Sequence, residues 1–229
     1  MRHIAIVGLG KFGSTVAREL TERGAQVIAI DEQKERVEEL KEFVTYAVTA
    51  NATDENALRA LGIQDVDAAV VCIGEDVEAN LLTTLLLKKL GIKEIWARAI
   101  SPLQQEILRA LEVDYIVNLE EEMGNIVANS LASANVIKYI PITSQYSLAE
   151  MKVPEPFIGK TIRQIDPRER FKVNIIAVKK KVPKINEYGE RIFVESLEDI
   201  SFPDKPLDSE DILLAVGKVK DIERFAAGG

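Results

Sequence analysis

The chain has one cysteine, one histidine and one tryptophan. The single cysteine, Cys72, excludes an internal disulfide and suits a reducing compartment. Set within Ala69-Val70-Val71-Cys72-Ile73, it reads as a small buried hydrophobe, with a reactive thiol as the lesser alternative. The lone His3 precedes the first apolar run by one residue and reads as a surface residue, which leaves a dehydrogenase without its usual substrate-polarising imidazole. The patterns H-E-x-x-H, C-x-x-C, G-x-S-x-G and G-x-x-x-x-G-K-[ST] are all missing, so zinc, acyl-transfer and P-loop chemistry lack their signals. No secretory signal is visible. The longest leucine-rich run, Leu81 to Leu90, contains Lys88 and Lys89 and is too short to span a bilayer, so a membrane role has to run through a partner. No Lys/Arg run is interleaved with aromatics. With a formal net charge of -8 and a pI near 5.0, the chain does not read as a nucleic-acid binder.

What is present starts at Ile4-Ala5-Ile6-Val7-Gly8-Leu9-Gly10-Lys11-Phe12-Gly13. Four apolar residues form a buried strand, and Gly8, Gly10 and Gly13 supply G-x-G-x-x-G. A helix-period segment follows with Val16, Ala17 and Leu20 on one face. The strand Val27 to Ile30 then ends at Asp31. Strand, glycine turn, helix, strand and acid together are the setting in which the motif means dinucleotide binding; a merely structural glycine turn is the lesser reading. Gly8 permits the tight turn, Gly10 lets backbone approach a phosphate, and Gly13 lets helix pack on strand. The first helical N–H groups point at the anion. Asp31 would accept ribose hydroxyls and repel a 2′-phosphate, which favours adenosine nucleotides or NAD over NADP.

The alternation continues. Lys34 to Phe43 reads as a helix with Val37, Leu40 and Phe43 inward. Thr45 to Val48 is a third strand, ending at Asn51-Ala52-Thr53-Asp54, which both caps the helix Glu55–Leu61 and lies beside the nucleotide crevice. Asp67 to Ile73 is a fourth strand, closed by Gly74, and a helix over Val77–Leu90 follows. The fifth strand, Glu94 to Arg98, ends in a cation that is either a solvated charge or a phosphate contact. A helix over Pro102–Leu111 and the strand Tyr115–Asn118 complete six β/α units. Glu120-Glu121-Glu122-Met123-Gly124 opens a further helix running to about Val136. Glu120 is either a cap or a contact linked to nucleotide through a metal, since a carboxylate near a triphosphate needs a hard cation between them. The fold class is therefore α/β: a doubly wound, Rossmann-like parallel sheet, with ligand at the carboxyl ends of the strands.

Near residue 140 the pattern changes, which divides the chain into 1–140 and 141–229. The second part reads as a small α+β module. It has a strand over Ser147–Val153 with Leu148 and Met151 alternating, a short helix over Gly159–Ile165, a strong strand over Val173–Lys180, a hairpin tip over Ile185–Ile192 with Gly189 taking the turn, a strand over Asp211–Val216 and a closing helix over Lys218–Phe225.

Ile6-Val7-Gly8-Leu9-Gly10-Lys11-Phe12-Gly13, Asn51-Ala52-Thr53-Asp54-Glu55-Asn56, Leu82-Thr83-Thr84-Leu85-Leu86-Leu87-Lys88, Ile95-Trp96-Ala97-Arg98-Ala99 and Glu120-Glu121-Glu122-Met123-Gly124 resemble the regulatory subunits of bacterial Trk/Ktr potassium-uptake systems, the KtrA type most closely. The resemblance covers the whole chain, its first part matching the RCK N-terminal (TrkA-N) domain and its second the RCK C-terminal (TrkA-C) domain. It implies a non-enzymatic cytoplasmic gating ring, built from dimers into an octamer, docked at the inner face of the membrane on a potassium-translocating subunit of the TrkH/KtrB kind. ATP and ADP would compete in the crevice, with AMP or NAD(H) as further candidates, and favour different ring shapes. Gly8, Gly10 and Gly13 would hold phosphates, Asp31 the ribose, and Asn51, Ala52 and Thr53 the adenine end. The flanking Leu9, Phe12, Glu32, Ile73 and Gly74 belong to the same site. Lys11 stands where the family often has Arg, losing the planar fork. Arg98 stands where relatives often have Lys. Glu120 matches a carboxylate near the terminal phosphates and a divalent cation, Mg or Ca. In some relatives the C-terminal domain binds cyclic di-AMP; the matching positions are Arg168, Phe171, Asn174, Ile175 and Ile176, with Arg163 and Pro167 departing from the pattern. Without the resemblance, Ile175 and Ile176 are strand residues of a core. The runner-up reading is an NAD(H)-binding redox sensor or small dehydrogenase.

Overall fold

The structure is a computed structural model and describes residues 1–132, 135–143, 145–185, 190–199 and 204–229. The chain divides into two units, Met1–Glu121 and Glu122–Gly229.

The first unit alternates strand and helix as the apolar periodicity dictates: β1 (His3–Val7), α1 (Lys11–Glu22), β2 (Gln26–Asp31), α2 (Lys34–Leu40), β3 (Tyr46–Thr49), α3 (Glu55–Ala60), β4 (Ala68–Val71), α4 (Val77–Lys89), β5 (Ile95–Arg98), α5 (Pro102–Ala110) and β6 (Tyr115–Val117). The six strands form one sheet in the order β3-β2-β1-β4-β5-β6. Every pairing in it is parallel. Strand order reverses between β1 and β4, and a ligand crevice opens at such a switch point. Two apolar clusters, one around Val7, Leu58, Ile95 and Leu108 and one around Ile6, Val27, Val37 and Leu40, make up its core. This doubly wound sheet is the expected one.

α6 (Leu119–Ala132) begins in the first unit and continues into the second. It stops short of the expected Val136, which starts β7 (Val136–Pro141). β8 (Tyr146–Lys152), α7 (Ile162–Ile165), α8 (Pro167–Phe171), β9 (Asn174–Ile185), β10 (Arg191–Asp199), β11 (Ile212–Lys218) and α9 (Val219–Ala226) follow. The second sheet is antiparallel, in the order β10-β9-β11-β8-β7. A division near residue 140 falls inside β7, which is hydrogen-bonded to β8. Pro141 ends this strand, which lies at the edge of the sheet, where a missing N–H is tolerated. α9 packs Phe225 against Phe157 and Phe171, with ring centroids 5.1 and 5.2 Å away.

Three expected side-chain placements differ. Phe43 lies beyond the end of α2 and is exposed, with the Arg18 guanidinium 3.5 Å above its ring. In β8 the inward residues are Ser147, Ala149 and Met151, and Leu148 falls on the other face, because residues 148 and 151 have opposite strand parity. Ile176 is exposed: the register skips from Ala177 to Ile175 opposite Leu214 and Ala215, so Ile176 is the extra residue of a β-bulge. The expected turn at Gly189 lies outside the described residues; the strands that flank it pair antiparallel, Ile185 opposite Arg191.

Candidate functional site

The parallel sheet brings the loops after all six of its strands to one edge, and the residues singled out from the sequence meet there in two groups. The glycine loop forms the first. Gly8 has φ +91° and donates its N–H to Ile30 O at 2.8 Å. A Cβ on Gly8 would stand 2.9 Å from Ile73 N, so the β1 turn presses directly on the β4 turn. A Cβ on Gly13 would stand 1.9 Å from Gly8 O, which is how closely α1 packs on β1. Gly10 differs. Its backbone is extended, and a Cβ there would meet nothing within 4 Å. The chain's own packing demands glycine at positions 8 and 13 but not at 10. Gly10 is also the N-cap of α1 and offers no side-chain cap. The first turn therefore carries donor N–H groups that no capping side chain takes.

Asp31 lies under this loop, 6% exposed. One carboxylate oxygen accepts from Leu9 N at 2.6 Å and the other from Gln33 N at 2.8 Å. Arg36 approaches at 3.6 Å. Its first task is thus to hold the glycine loop; Oδ1, with Gln33 N as its one partner, keeps a second acceptor position. Glu32 beside it is exposed, as is Lys11, while Phe12 is half-buried. After β3, Asn51 Oδ1 accepts from Thr53 N at 2.9 Å and Thr53 Oγ1 at 2.7 Å, an Asx turn that buries Ala52. Asp54, the last residue of that loop, caps α3.

The second group is built on Arg98. Its guanidinium crosses Gly74 so closely that a Cβ there would lie 2.5 Å from Nη1. It pairs through Nη2 with Glu120, and its Nε is buried without a partner. Glu120 holds its carboxyl below the usual carboxylate range, first through its own backbone N–H at the start of α6 and then through Arg98. One residue here was missed in the sequence. Asn80 is fully buried, and its amide donates to Ile73 O at 2.7 Å and to Arg98 O at 3.0 Å, tying the ends of β4 and β5 together. The available signal was a polar residue on the inward face of α4, in line with Thr83, Thr84 and Leu87.

The carboxylate expected to meet a divalent cation, Glu120, is paired with Arg98. Among the described residues no three His, Cys, Asp or Glu side chains gather to hold an ion. The donor set does not make a metal site. Cys72, between the two groups, is buried, and desolvation pushes its thiol up to about 12.

A hollow of about 730 Å³ opens at the opposite, amino-terminal edge of the same sheet among Arg2, Asp67, Lys93, Glu94, Asp114 and Tyr115. Its carboxylates are committed: Asp67 accepts from His3 N and Asp114 from Ile95 N, both at 2.8 Å, and Glu94 accepts from Trp96 Nε1 at 2.9 Å. They cap strand starts, and we assign no ligand there.

In the second unit a cavity of about 450 Å³ is lined by Arg168, Asn174 and Ile175 together with Arg163, Asp166 and Pro167. Phe171 turns away into the aromatic cluster of the core, and the bulge carries Ile176 outward. The Arg163 guanidinium is exposed and pairs with Asp204 at 2.8 Å.

The TrkA-N domain model matches residues 4–119. The chain is 34% identical over 228 residues to the Ktr system potassium uptake protein A of Bacillus subtilis, covering 100% of this chain and 97% of that one. It is 33% identical over 224 residues to protein C of the same system and organism, covering 98% and 96%. Among solved structures, the GsuK channel bound to NAD superposes with a TM-score of 0.64 at 21% identity, covering 99% of this chain. This chain spans only 38% of the GsuK chain's length, and at that identity the likeness speaks for the fold. With a glycine-loop sheet, a second antiparallel unit and end-to-end similarity of this degree, the chain belongs to the TrkA-N family and, within it, to the Ktr/Trk potassium-uptake regulatory proteins.

Proposed function

We propose that the chain is a nucleotide-sensing gating subunit of a potassium transporter, in which an adenine nucleotide occupies the crevice over the β1–α1 loop. The observation that carries this reading is Gly10, the one glycine of the motif that the chain's own packing does not require. Open space in front of its backbone and uncapped N–H groups at α1 suit a phosphate. Arg98, with its buried Nε unpaired, adds a cation at the far side of the same edge. Asp31 then takes the ribose through the acceptor position left on Oδ1, and Asn51 to Thr53 border the adenine end.

ATP and ADP differ in terminal charge, so a crevice whose far wall is Arg98 and Glu120 binds them in differently weighted shapes; that differential affinity is all a switch needs. The extra phosphate competes with Glu120 for Arg98, unless a cation joins phosphate to carboxylate. Dimers assembled into an octameric ring transmit the change to a membrane potassium-translocating subunit at the cytoplasmic face. In the second unit, the Arg168–Asn174–Ile175 cavity is the place for cyclic di-AMP, with Arg168 toward a phosphate. The test is potassium flux through the reconstituted partner with this protein in ATP and in ADP. Flux that changes with the nucleotide is expected, and equal flux overturns the reading.

The NAD in the related fold of GsuK supports a second reading, an NAD(H)-responsive sensor. Competition calorimetry separates the two: NADH displacing ATP at far lower concentration selects the second.

A further inference from the structure

Beyond the last pairing of β4 with β5, Val71 opposite Ala97, the two strand ends are held by a side chain. The Asn80 amide donates to Ile73 O at 2.7 Å and to Arg98 O at 3.0 Å. On its other side Arg98 keeps its pairing with β6, opposite Val117. One amide therefore stands in for a ladder rung, and its two acceptors are telling. Ile73 immediately precedes Gly74, the residue that the guanidinium crosses, and Arg98 is the residue that carries it. The Gln104 amide also reaches Arg98 O, at 3.3 Å, but it does not bridge to Ile73.

Gly74 fits the same arrangement. Its φ lies outside the left-handed region, so the backbone does not ask for glycine there. The three atoms nearest to a Cβ placed on it all belong to Arg98, the closest at 2.5 Å. The missing side chain makes room for the guanidinium. Asn80 is also a costly way to stabilise a helix face. It is fully buried, and its Oδ1 meets no hydrogen-bond partner among the described residues. Two turns on, the same face carries the aliphatic Leu87, which packs without stranding a polar atom.

From these contacts we infer that Asn80 is a positioning residue for the nucleotide, acting through Arg98. Full burial keeps Asn80 itself from touching a ligand. By fixing the Arg98 carbonyl against the turn at Gly74, it sets where the guanidinium stands, and so how strongly the crevice separates ATP from ADP. A cation held in one place meets the outermost phosphate of one ligand better than that of the other, whereas a cation free to shift follows either. This rests on an adenine nucleotide occupying the crevice, as proposed above.

The test is calorimetry of the full chain with ATP and with ADP, read as the ratio of the two dissociation constants. Asn80→Ala should move that ratio about two- to thirtyfold, the usual span for a residue acting through another, toward the value for Arg98→Gln. In the Arg98→Gln background Asn80→Ala should move it no further. Gly74→Ala, which displaces the guanidinium and leaves Asn80 in place, should shift the ratio the same way. Leu87→Ala is the structural control: it costs stability on the same helix face and should leave the ratio unchanged. Where Asn80→Ala does not fold, Asn80→Ser takes its place. A ratio that the folded Asn80 variant leaves unmoved overturns the inference alone, provided the parent binds nucleotide. So does an effect that persists at full size without Arg98, or an equal shift in Leu87→Ala, which makes it general loosening. A parent protein that binds neither nucleotide overturns the underlying reading and this inference with it.

Discussion

Replacing Gly10 with alanine separates a ligand cradle from a structural turn. The residue has φ -63° and ψ -175°, open to any side chain, and the added Cβ meets nothing within 4 Å. Folding stability should change by less than about 1 kcal/mol, since a small gain in unfolded-chain entropy offsets a slightly poorer N-cap. Binding should change far more. The methyl group fills the space through which a phosphate reaches the loop, and losing one charge-assisted hydrogen bond costs about 1.5–3 kcal/mol. That is about a ten- to 150-fold weaker dissociation constant for ATP or ADP in calorimetry. Gly13→Ala is the control. Its Cβ would sit 1.9 Å from Gly8 O, so α1 must leave β1 and the protein should lose about 1–3 kcal/mol or more, seen as a fall of several degrees in unfolding temperature. A Gly10→Ala protein that binds nucleotide like the parent would refute the reasoning. One that is as unstable as Gly13→Ala would show the space filled by the chain itself.

Four further outcomes follow from the same geometry. Asp31→Ala should weaken nucleotide binding by about 1.5–3 kcal/mol and also lower thermal stability, because Leu9 N and Gln33 N lose their acceptor; calorimetry with unchanged affinity would place the ribose elsewhere. Asn80→Ala should cost about 1–3 kcal/mol by stranding the carbonyl of Ile73 and leaving that of Arg98 to a long bond from Gln104, measured by urea unfolding. Cys72, its thiol pushed up to about 12, should stay unmodified by an aromatic disulfide reagent at neutral pH until the protein is unfolded. Glu120 has its folded pKa lowered, so its contribution to stability is full above the ordinary carboxylate value and fades as pH falls through the folded one. Glu120→Gln should remove that portion of the acid dependence, and a parent-like pH profile for the variant would deny the Arg98 pairing.

The first unit was legible because its signals are local and agree with one another. Four-residue apolar runs, a glycine turn and helix-period segments each name an element, and strict alternation leaves one topology. The second unit was harder. β7 hides behind Pro141, which is tolerated only because the strand is an edge. β8 misleads because Leu148 and Met151 look like a spaced apolar pair, while their opposite parity sends them to different faces. Ile176 follows Ile175 with the same chemistry and is turned out by a bulge that no residue type announces.

The candidate site shows the same limit more sharply. The motif already gives Gly8, Gly10 and Gly13 separate tasks, but only packing shows how strictly each is required: Gly8 is pinned by the β4 turn and Gly13 by Gly8 itself, while a Cβ on Gly10 meets nothing within 4 Å. Arg98 likewise read equally well as solvated or as a phosphate contact. What removes the balance is a relation between residues far apart in sequence. Gly74 clears a path for the guanidinium, Asn80 fixes the strand end from which it starts, and Glu120 meets its Nη2 while Nε stays dry and unpaired. A solvated surface arginine needs none of these. An arginine with a buried, unsatisfied edge is costly unless something else completes it. On the reading proposed above, an anion completes that edge, entering where Glu120 now holds the same cation.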